Sequence, residues 1–484
     1  MQQTKEQKKQ LELWQSRAAK SENAYGRQLR RMEERELQYL GDETLSPLVD
    51  GDDKAKTVHV RNITSEMIES QVDSNIPQPK VTPRRPEDSL KAKLIEDMIR
   101  AELDRMPFEE FNDMLERTVP IQGGGLFLVE WDSTARTHTT TGELKVSPLH
   151  PKQVIPQSGV YTGIQDMDYI ILRLPQTKES IERLYGIKLD ETINFDGAEP
   201  DDELVTQYTA YYKDENGNIG KFSWVNETIL EDIPDCQSRH VQRCNACGTQ
   251  KPHNSDRCPV CSGAKFTDEA LEYEDIPVYA EKSDGTVIPP SAFQSFEEPD
   301  TLESPDDSGE ISYLNNQNRV PVYRPGLYPV ILQKNVSVYG KFLGESDCDK
   351  IKYQQNTVNR LESKIIDKLM KSGSYISLPP DADIEVDTED MKVIRLVSPA
   401  GKQMMGVYDM QGNIEQDAAY LEQVYQESRQ ITGITDSLQG RRDTTATSGK
   451  AKEFAAAQSA GRLESKRVRK NAAYASLFAA ILKF

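Results

Sequence analysis

Histidine is scarce in this chain: His59, His138, His150, His240 and His253 are the only five among 484 residues. No pair of them forms HExxH, and neither a GxSxG elbow, a GxGxxG loop nor a Gly-Lys-Ser/Thr phosphate loop is present. Those absences remove the common zinc-hydrolase, serine-hydrolase and nucleotide-binding classes, and no enzymatic activity is expected. Long apolar runs are missing too. The most apolar stretch, residues 474–482, falls far short of the roughly 20 residues that a membrane span needs. Residues 1–11 are polar, so no signal peptide is expected, and the chain is expected to act in the cytosol or in a particle assembled there. Six cysteines in so long a chain do not suggest a secreted disulfide scaffold. Hydrophobic residues reach only 36%, which implies much exposed surface or membership of an assembly. Positive charge is outweighed as well: 59 basic against 79 acidic residues give a net charge of -20. That excludes a generally basic surface gripping nucleic acid, but not a wall past which a duplex slides, where few ion pairs must break. The many carboxylates read as solvated surface, and nothing singles out a clustered nuclease site.

What cysteine there is carries the sharpest local signal. Cys244 and Cys247 form one CxxC knuckle, and Cys258 and Cys261 form a second after ten residues. Each knuckle aims two sulfurs at one point, and two knuckles make a four-thiolate site that suits Zn2+, one per chain. Disulfides and free thiols are the competing readings; cytosolic assembly disfavours the first and the paired spacing the second. With four thiolates there is no open coordination position, so the role is structural. His253 lies between the pairs and is not needed as a ligand. Cys236 and Cys348 stand alone and read as ordinary partly buried residues.

Along the first two thirds, Leu11, Trp14, Ala18, Tyr25, Leu29 and Met32 recur at helical spacing. They predict an amphipathic helix docking on its own domain, with a neighbouring subunit as the other reading. Residues 57–120 read as helices: a first one capped by Asn62 or Thr64, an extended Pro-bearing segment at 75–81, a helix at 87–105 with Leu90, Leu94, Met98 and Ala101 on its face, and a short helix at 108–118. Residues 121–235 are β-rich, with Gly123, Gly124 and Gly125 as a tight turn before the apolar run 126–131 and a hairpin at 208–225. Residues 267–318 are an acidic, Pro- and Ser-rich surface excursion.

The final third organises the chain. A helix over 346–371 uses Ile351, Val358, Leu361, Ile365 and Leu369, with Lys352, Gln355, Asn359, Glu362 and Lys364 on its polar face. A β excursion at 375–409 contains runs at 384–386 and 393–397. A helix over 414–431 uses Ile414, Leu421, Val424, Tyr425 and Ser428. A Gly-, Ser- and Thr-rich loop at 432–449 and an Ala-rich helix over 450–484 complete it. On that last helix Arg462, Lys466, Arg467, Arg469 and Lys470 form a basic cluster, read as facing DNA, solvent or a neighbouring subunit.

This order, with Tyr339-Gly340, the segments 354–359 and 365–369, Ile431-Thr432-Gly433-Ile434 and the loop 440–449, resembles the core of tailed-phage portal proteins. Weaker echoes are the extended segment at 75–81 and Leu149-His150-Pro151 followed by Val154-Ile155-Pro156. The resemblance implies an α+β protomer in a ring, a homododecamer. Its parts would be an N-terminal arm and linker (1–56), an α/β wing (57–235), a zinc-ribbon insertion (236–266) and an acidic return (267–344). A stem helix (345–372), a clip (373–411), a second stem helix (412–434), a tunnel loop (435–449) and a long wing helix (450–484) would follow, with the crown short or absent. Ile384, Val386, Val393, Ile394 and Leu396 would form the clip that meets the terminase large subunit and later the neck or adaptor protein. Gly440 and Gly449 would give the tunnel loop freedom, Thr444, Thr445, Thr447 and Ser448 would offer neutral contacts, and Arg441 and Arg442 would touch phosphate. A flexible inter-helix loop with solvated arginines is the plainer reading of those two. The implied partners are double-stranded DNA and the major capsid and scaffolding proteins, with no membrane. The implied location is the virion portal vertex, with host cytoplasm during assembly. The rival classes are a zinc-ribbon nucleic-acid-processing enzyme and another capsid or neck protein.

Overall fold

The long N-terminal helix α1 (Lys5–Leu40) ties the architecture together. At 1.5 Å per residue a helix of this length reaches about 54 Å, far enough to serve two cores. Leu11, Trp14 and Ala18 cover one face of a five-stranded sheet, Tyr25 and Met32 enter the central core, and Arg35 and Gln38 reach the helices beyond. The computed structural model describes residues 5–42, 59–136, 141–189, 204–238, 240–249, 257–271, 273–275, 280–281, 287–288, 312–313, 319–321, 324–378, 392–395, 406–410, 413–434 and 449–484. Among them the fold is mixed α+β, with eight α-helices and several separate sheets.

Helix α2 (Ile63–Glu69) starts where the Asn62 side chain accepts from the Ser65 amide. Helices α3 (Ser89–Arg105) and α4 (Phe108–Gln122) are separated by Pro107. The sequence reading put Leu90, Leu94, Met98 and Ala101 on the inward face of α3. The structure corrects this: Ala92, Ile99 and Leu103 are buried, while Leu90 is 80% exposed. The helix carries two apolar stripes, and only one meets the core. Helix α4 ends at Gly123, whose φ of 87° is the left-handed cap. A Cβ there would lie 2.5 Å from the Gly344 carbonyl oxygen, so two backbones touch at this point.

Strand β1 (Gly124–Arg136) follows, then β2 (Thr141–Leu149) and the edge segment β3 (Val154–Pro156). Leu126 and Leu128 face the central core, Phe127 and Val129 a second core. A strand covered on both faces needs no polar alternation, which explains its continuous apolar run. Strand β4 (Tyr169–Thr177), helix α5 (Lys178–Tyr185), β5 (Leu204–Lys213), β6 (Ile219–Val225) and β7 (Thr228–Ile233) complete an antiparallel sheet ordered β3-β4-β5-β6-β7. Strands β8 (His240–Cys244) and β9 (Phe266–Ala270) form a separate ribbon. Then come the short β10 (Tyr273–Asp275), β11 (Ala280–Glu281), β12 (Val287–Ile288), β13 (Ser312–Tyr313) and β14 (Arg319–Pro321); β10 pairs with β14, and β11 with both β12 and β13.

Strand β15 (Val330–Lys334) returns to pair with β1, giving the order β15-β1-β2. Helix α6 (Asp347–Lys371) leads into β16 (Gly373–Leu378), β17 (Lys392–Arg395) and β18 (Gly406–Met410), and helix α7 (Glu415–Thr432) comes back. The last element is α8 (Gly449–Lys483). Its apolar end does not wait for a partner from outside: Tyr474, Leu477, Phe478 and Ile481 pack with Phe108, Phe127 and Val146 in the second core.

Candidate functional site

The β8–β9 ribbon carries both cysteine knuckles, and the two are built alike. The Cys244 amide donates to the Thr249 carbonyl and the Cys258 amide to the Gly263 carbonyl, both at 2.9 Å. Four residues after each first cysteine, the Gly248 and Ser262 amides donate back to the Cys244 and Cys258 carbonyls at 2.8 and 2.9 Å. Both residues are left-handed, at φ 71° and 57°. Glycine takes that conformation freely; serine takes it at a cost of roughly 1 kcal/mol. The first cysteine of each knuckle is buried and the second exposed. Gly263 lies beneath the cluster, where a Cβ would come within 3.3 Å of both the Cys244 and Cys261 sulfurs.

The four sulfurs lie within 4.8 Å of one another. Cys244 and Cys261 are 3.3 Å apart, and Cys247 and Cys258 are 3.4 Å apart, so all four are free thiols. Tetrahedral thiolate ligation at about 2.3 Å places sulfurs about 3.8 Å from each other, which the observed range brackets. The Ala246 amide lowers the Cys244 pKa, and the Thr249 hydroxyl and amide lower that of Cys247. At Cys261 the Gly263 amide favours the thiolate, but the crowded neighbouring thiols outweigh it and push the pKa up to about 12. Deprotonated together, four sulfurs this close would repel one another, and a cation between them would relieve that. The cluster can therefore hold a metal ion. His253 lies outside the described residues.

A second arrangement occupies the far end of the chain. Helix α6 runs out, a three-stranded sheet ordered β17-β16-β18 follows, and α7 returns antiparallel beside α6. Strand β16 pairs in parallel with β17 and antiparallel with β18. At the sheet end Lys364 and Lys368, one turn apart, both hold Asp417 in the first turn of α7. At the other end Ile351 and Val358 pack with Val424, Tyr425 and Ile434 and with Ile63 and Met67 of α2. The predicted polar face of α6 is corrected here. Gln355 and Asn359 are buried, because Gln355 accepts from the Thr64 amide at 3.0 Å and donates to Asn359 at 2.8 Å. Towards the sheet the apolar stripe opens to solvent: Leu369 and Met370 are exposed, as are Tyr353, Tyr420 and Ile431 along the pair.

Of the residues singled out for a clip, the backbone of Val393 and Ile394 lies in β17, while Ile384, Val386 and Leu396 lie outside the described residues. The loop residues Gly440, Arg441, Arg442, Thr444, Thr445, Thr447 and Ser448 also lie outside them. Two members of the basic cluster of α8 are pinned rather than free. Lys470 meets Glu116 at 3.1 Å and the Asp73 carbonyl at 3.0 Å, and Lys466 meets Gln71 and the buried Asp347. A role facing DNA or solvent is therefore closed to Lys466 and Lys470. Sequence reasoning missed Asp347, an acid at the start of a helix whose cations come from α6 and α8.

No protein-family model matches the chain, and no curated protein matches it.

Proposed function

We propose that this chain is a portal-type ring subunit that lines a channel for double-stranded DNA and hydrolyses nothing itself. The observation that supports this reading best is the excursion of α6, a small terminal sheet and α7, with apolar residues along the pair left uncovered by the chain's own core. In a ring a neighbouring copy's helix pair covers Tyr353, Leu369, Met370 and Tyr420, and the pairs together wall the hole. Three short strands need a covered hydrophobic face to be stable, so the terminal sheets of adjacent copies also gain from packing and pairing. In this reading the sheet end docks the terminase large subunit during packaging and the neck protein afterwards. A chain carrying a net charge of -20 lets the duplex move without strong grip. The metal is zinc, one per chain and structural, since four thiolates fill its tetrahedron.

Electron microscopy of the purified protein tests the proposal. A closed ring with an axial hole is expected; a stable monomer under all assembly conditions sinks it. The cysteine ribbon itself favours a second reading, a zinc-ribbon nucleic-acid-processing enzyme. Nuclease and nucleotide-hydrolysis assays on the same preparation separate the two, with no turnover expected for the ring subunit.

A further inference from the structure

The β8–β9 ribbon has no apolar core of its own. Across residues 241–249 and 257–267, only Cys244 and Cys258 are buried. Two short antiparallel strands are marginal by themselves, so a unit this small depends on a staple. The four sulfurs are that staple. They sit where β8 ends, with Cys244 opposite Phe266 in the ladder and the Asn245 amide donating to the Lys265 carbonyl at 3.1 Å.

The sulfurs also pair off. Cys244 meets Cys261 at 3.3 Å and Cys247 meets Cys258 at 3.4 Å, each contact joining one knuckle to the other. In each pair one cysteine is buried and one exposed. A disulfide needs its sulfurs at about 2.05 Å, so either contact has to close by roughly 1.3 Å. Gly263 leaves room for this at Cys244 and Cys261, where a Cβ would crowd both sulfurs at 3.3 Å. A link within a knuckle would enclose only four residues, whereas the two cross-links nest and enclose the whole stretch from Cys244 to Cys261. Longer enclosed loops restrict the unfolded chain more, so exchange among the isomers favours the cross-linked pairs.

We propose that this clasp is convertible by oxidation: reduced, its four thiolates hold a metal ion; oxidised, the disulfides Cys247–Cys258 and Cys244–Cys261 replace that ion and keep β8 and β9 together. A peroxide is the oxidant. The exposed Cys247 thiolate attacks one peroxide oxygen, giving a sulfenic acid and hydroxide. The Cys258 thiolate then attacks that sulfur and expels a second hydroxide, so two electrons leave two sulfurs and one peroxide is reduced. Cys261 and Cys244 repeat the sequence. Four thiolates and two peroxides thus give two disulfides and four hydroxides, and a divalent ion bound at the start is released because no thiolate remains to hold it. Cys236 and Cys348 take no part: Cys348 is fully buried, and burial pushes the Cys236 thiol up to about 11. The clasp therefore serves in reducing and in oxidising surroundings alike. It rests on the metal-binding reading of the cluster and is independent of the ring reading.

The test uses the full chain loaded with zinc and treated stepwise with hydrogen peroxide. Released zinc is read with a chromogenic chelator, and disulfides are mapped by tryptic digestion without reductant. Cleavage after Arg243, Arg257 and Lys265 puts the two knuckles on separate peptides. Cross-links leave those peptides joined; links within a knuckle leave them apart. Expected are release of about one zinc per chain, joined peptides whose fragmentation shows the two named pairs, and free thiols at Cys236 and Cys348. Amide exchange in β8 and β9 should be equally slow in the zinc-bound and oxidised protein, and about tenfold or more faster after chelation under reductant. Separate knuckle peptides, sulfurs that stop at sulfinic acid without pairing, or an oxidised ribbon exchanging like the reduced, metal-free one would each overturn the proposal. A chain that takes up no zinc instead refutes the metal-binding reading, and the same digest of that chain still decides the pairing.

Discussion

Replacing Lys466 by methionine removes one of two ammonium groups from a carboxylate sealed inside the protein. Asp347 is 2% exposed; one of its oxygens meets Lys350 at 3.1 Å and the Asn335 amide at 3.2 Å, and the other takes Lys466. Burial alone would push its pKa up, but Lys466 and Lys350 hold it below the usual carboxylate range. Breaking a buried ion pair from one side costs about 3–5 kcal/mol. Lys350 and Asn335 stay in place, so only one oxygen is orphaned and the lower end, about 3 kcal/mol, is expected. The methionine retains most of the aliphatic stem, so little of this loss comes from packing. The pH dependence has a definite sign. The folded pKa lies below the unfolded value of about 3.9, so the tie contributes fully above that value and fades as pH falls through the folded pKa. The gap between Lys466→Met and the parent should therefore be full at pH 7 and shrink below about pH 4. Urea unfolding followed by circular dichroism reads both. Adding Asp347→Asn to Lys466→Met should recover part of the loss, because no unbalanced charge then remains buried. A Lys466→Met protein within about 0.5 kcal/mol of the parent at pH 7, the range of an ordinary surface change, would refute the argument.

Three further outcomes are expected. Ser262→Gly relieves a left-handed serine in the second knuckle, a gain of up to about 1 kcal/mol; chelator competition should show slower metal loss, and faster loss would contradict the equivalence of the two knuckles. Gly123→Ala forces a side chain into a left-handed cap pressed against the Gly344 carbonyl; a loss above about 1 kcal/mol is expected, and an unchanged melting temperature would count against that close approach. Leu94→Gln on the exposed side of α3 should stay within about 0.5 kcal/mol of the parent. Leu477→Ala in the core under α8 should cost about 2–5 kcal/mol, so similar melting temperatures for the two variants would reverse the assigned faces.

What could be read from the amino-acid order was whatever its own spacing encodes. The stripe of α1 and that of α7 follow directly from recurrence at three, four and seven, and the cysteine knuckles from two short identical gaps. The inward face of α3 did not follow, because Leu90, Leu94 and Met98 compete with Ile95, Ile99 and Leu103, and only the docked position of α8 decides between them. Strand β16 was hidden for a related reason. Gly373 looks like a helix stop, and the strand after it exists through pairing with β17 and β18, both later in the chain.

Polar residues give the sharper case. Gln355 and Asn359 look like solvent-facing residues of α6, yet they are buried because Thr64, 291 positions earlier, supplies the donors. Lys466 and Lys470 look like a basic surface for the same reason: their partners lie 119 residues away at Asp347 and 397 residues away at Asp73. A charge run in sequence therefore measures supply, and the folded chain determines how much of it is spent internally. On α8, Lys466 and Lys470 are consumed in holding the helix to α6 and α4, and even the half-exposed Arg467 keeps Asp73 and Glu464 at 3.8 and 3.9 Å.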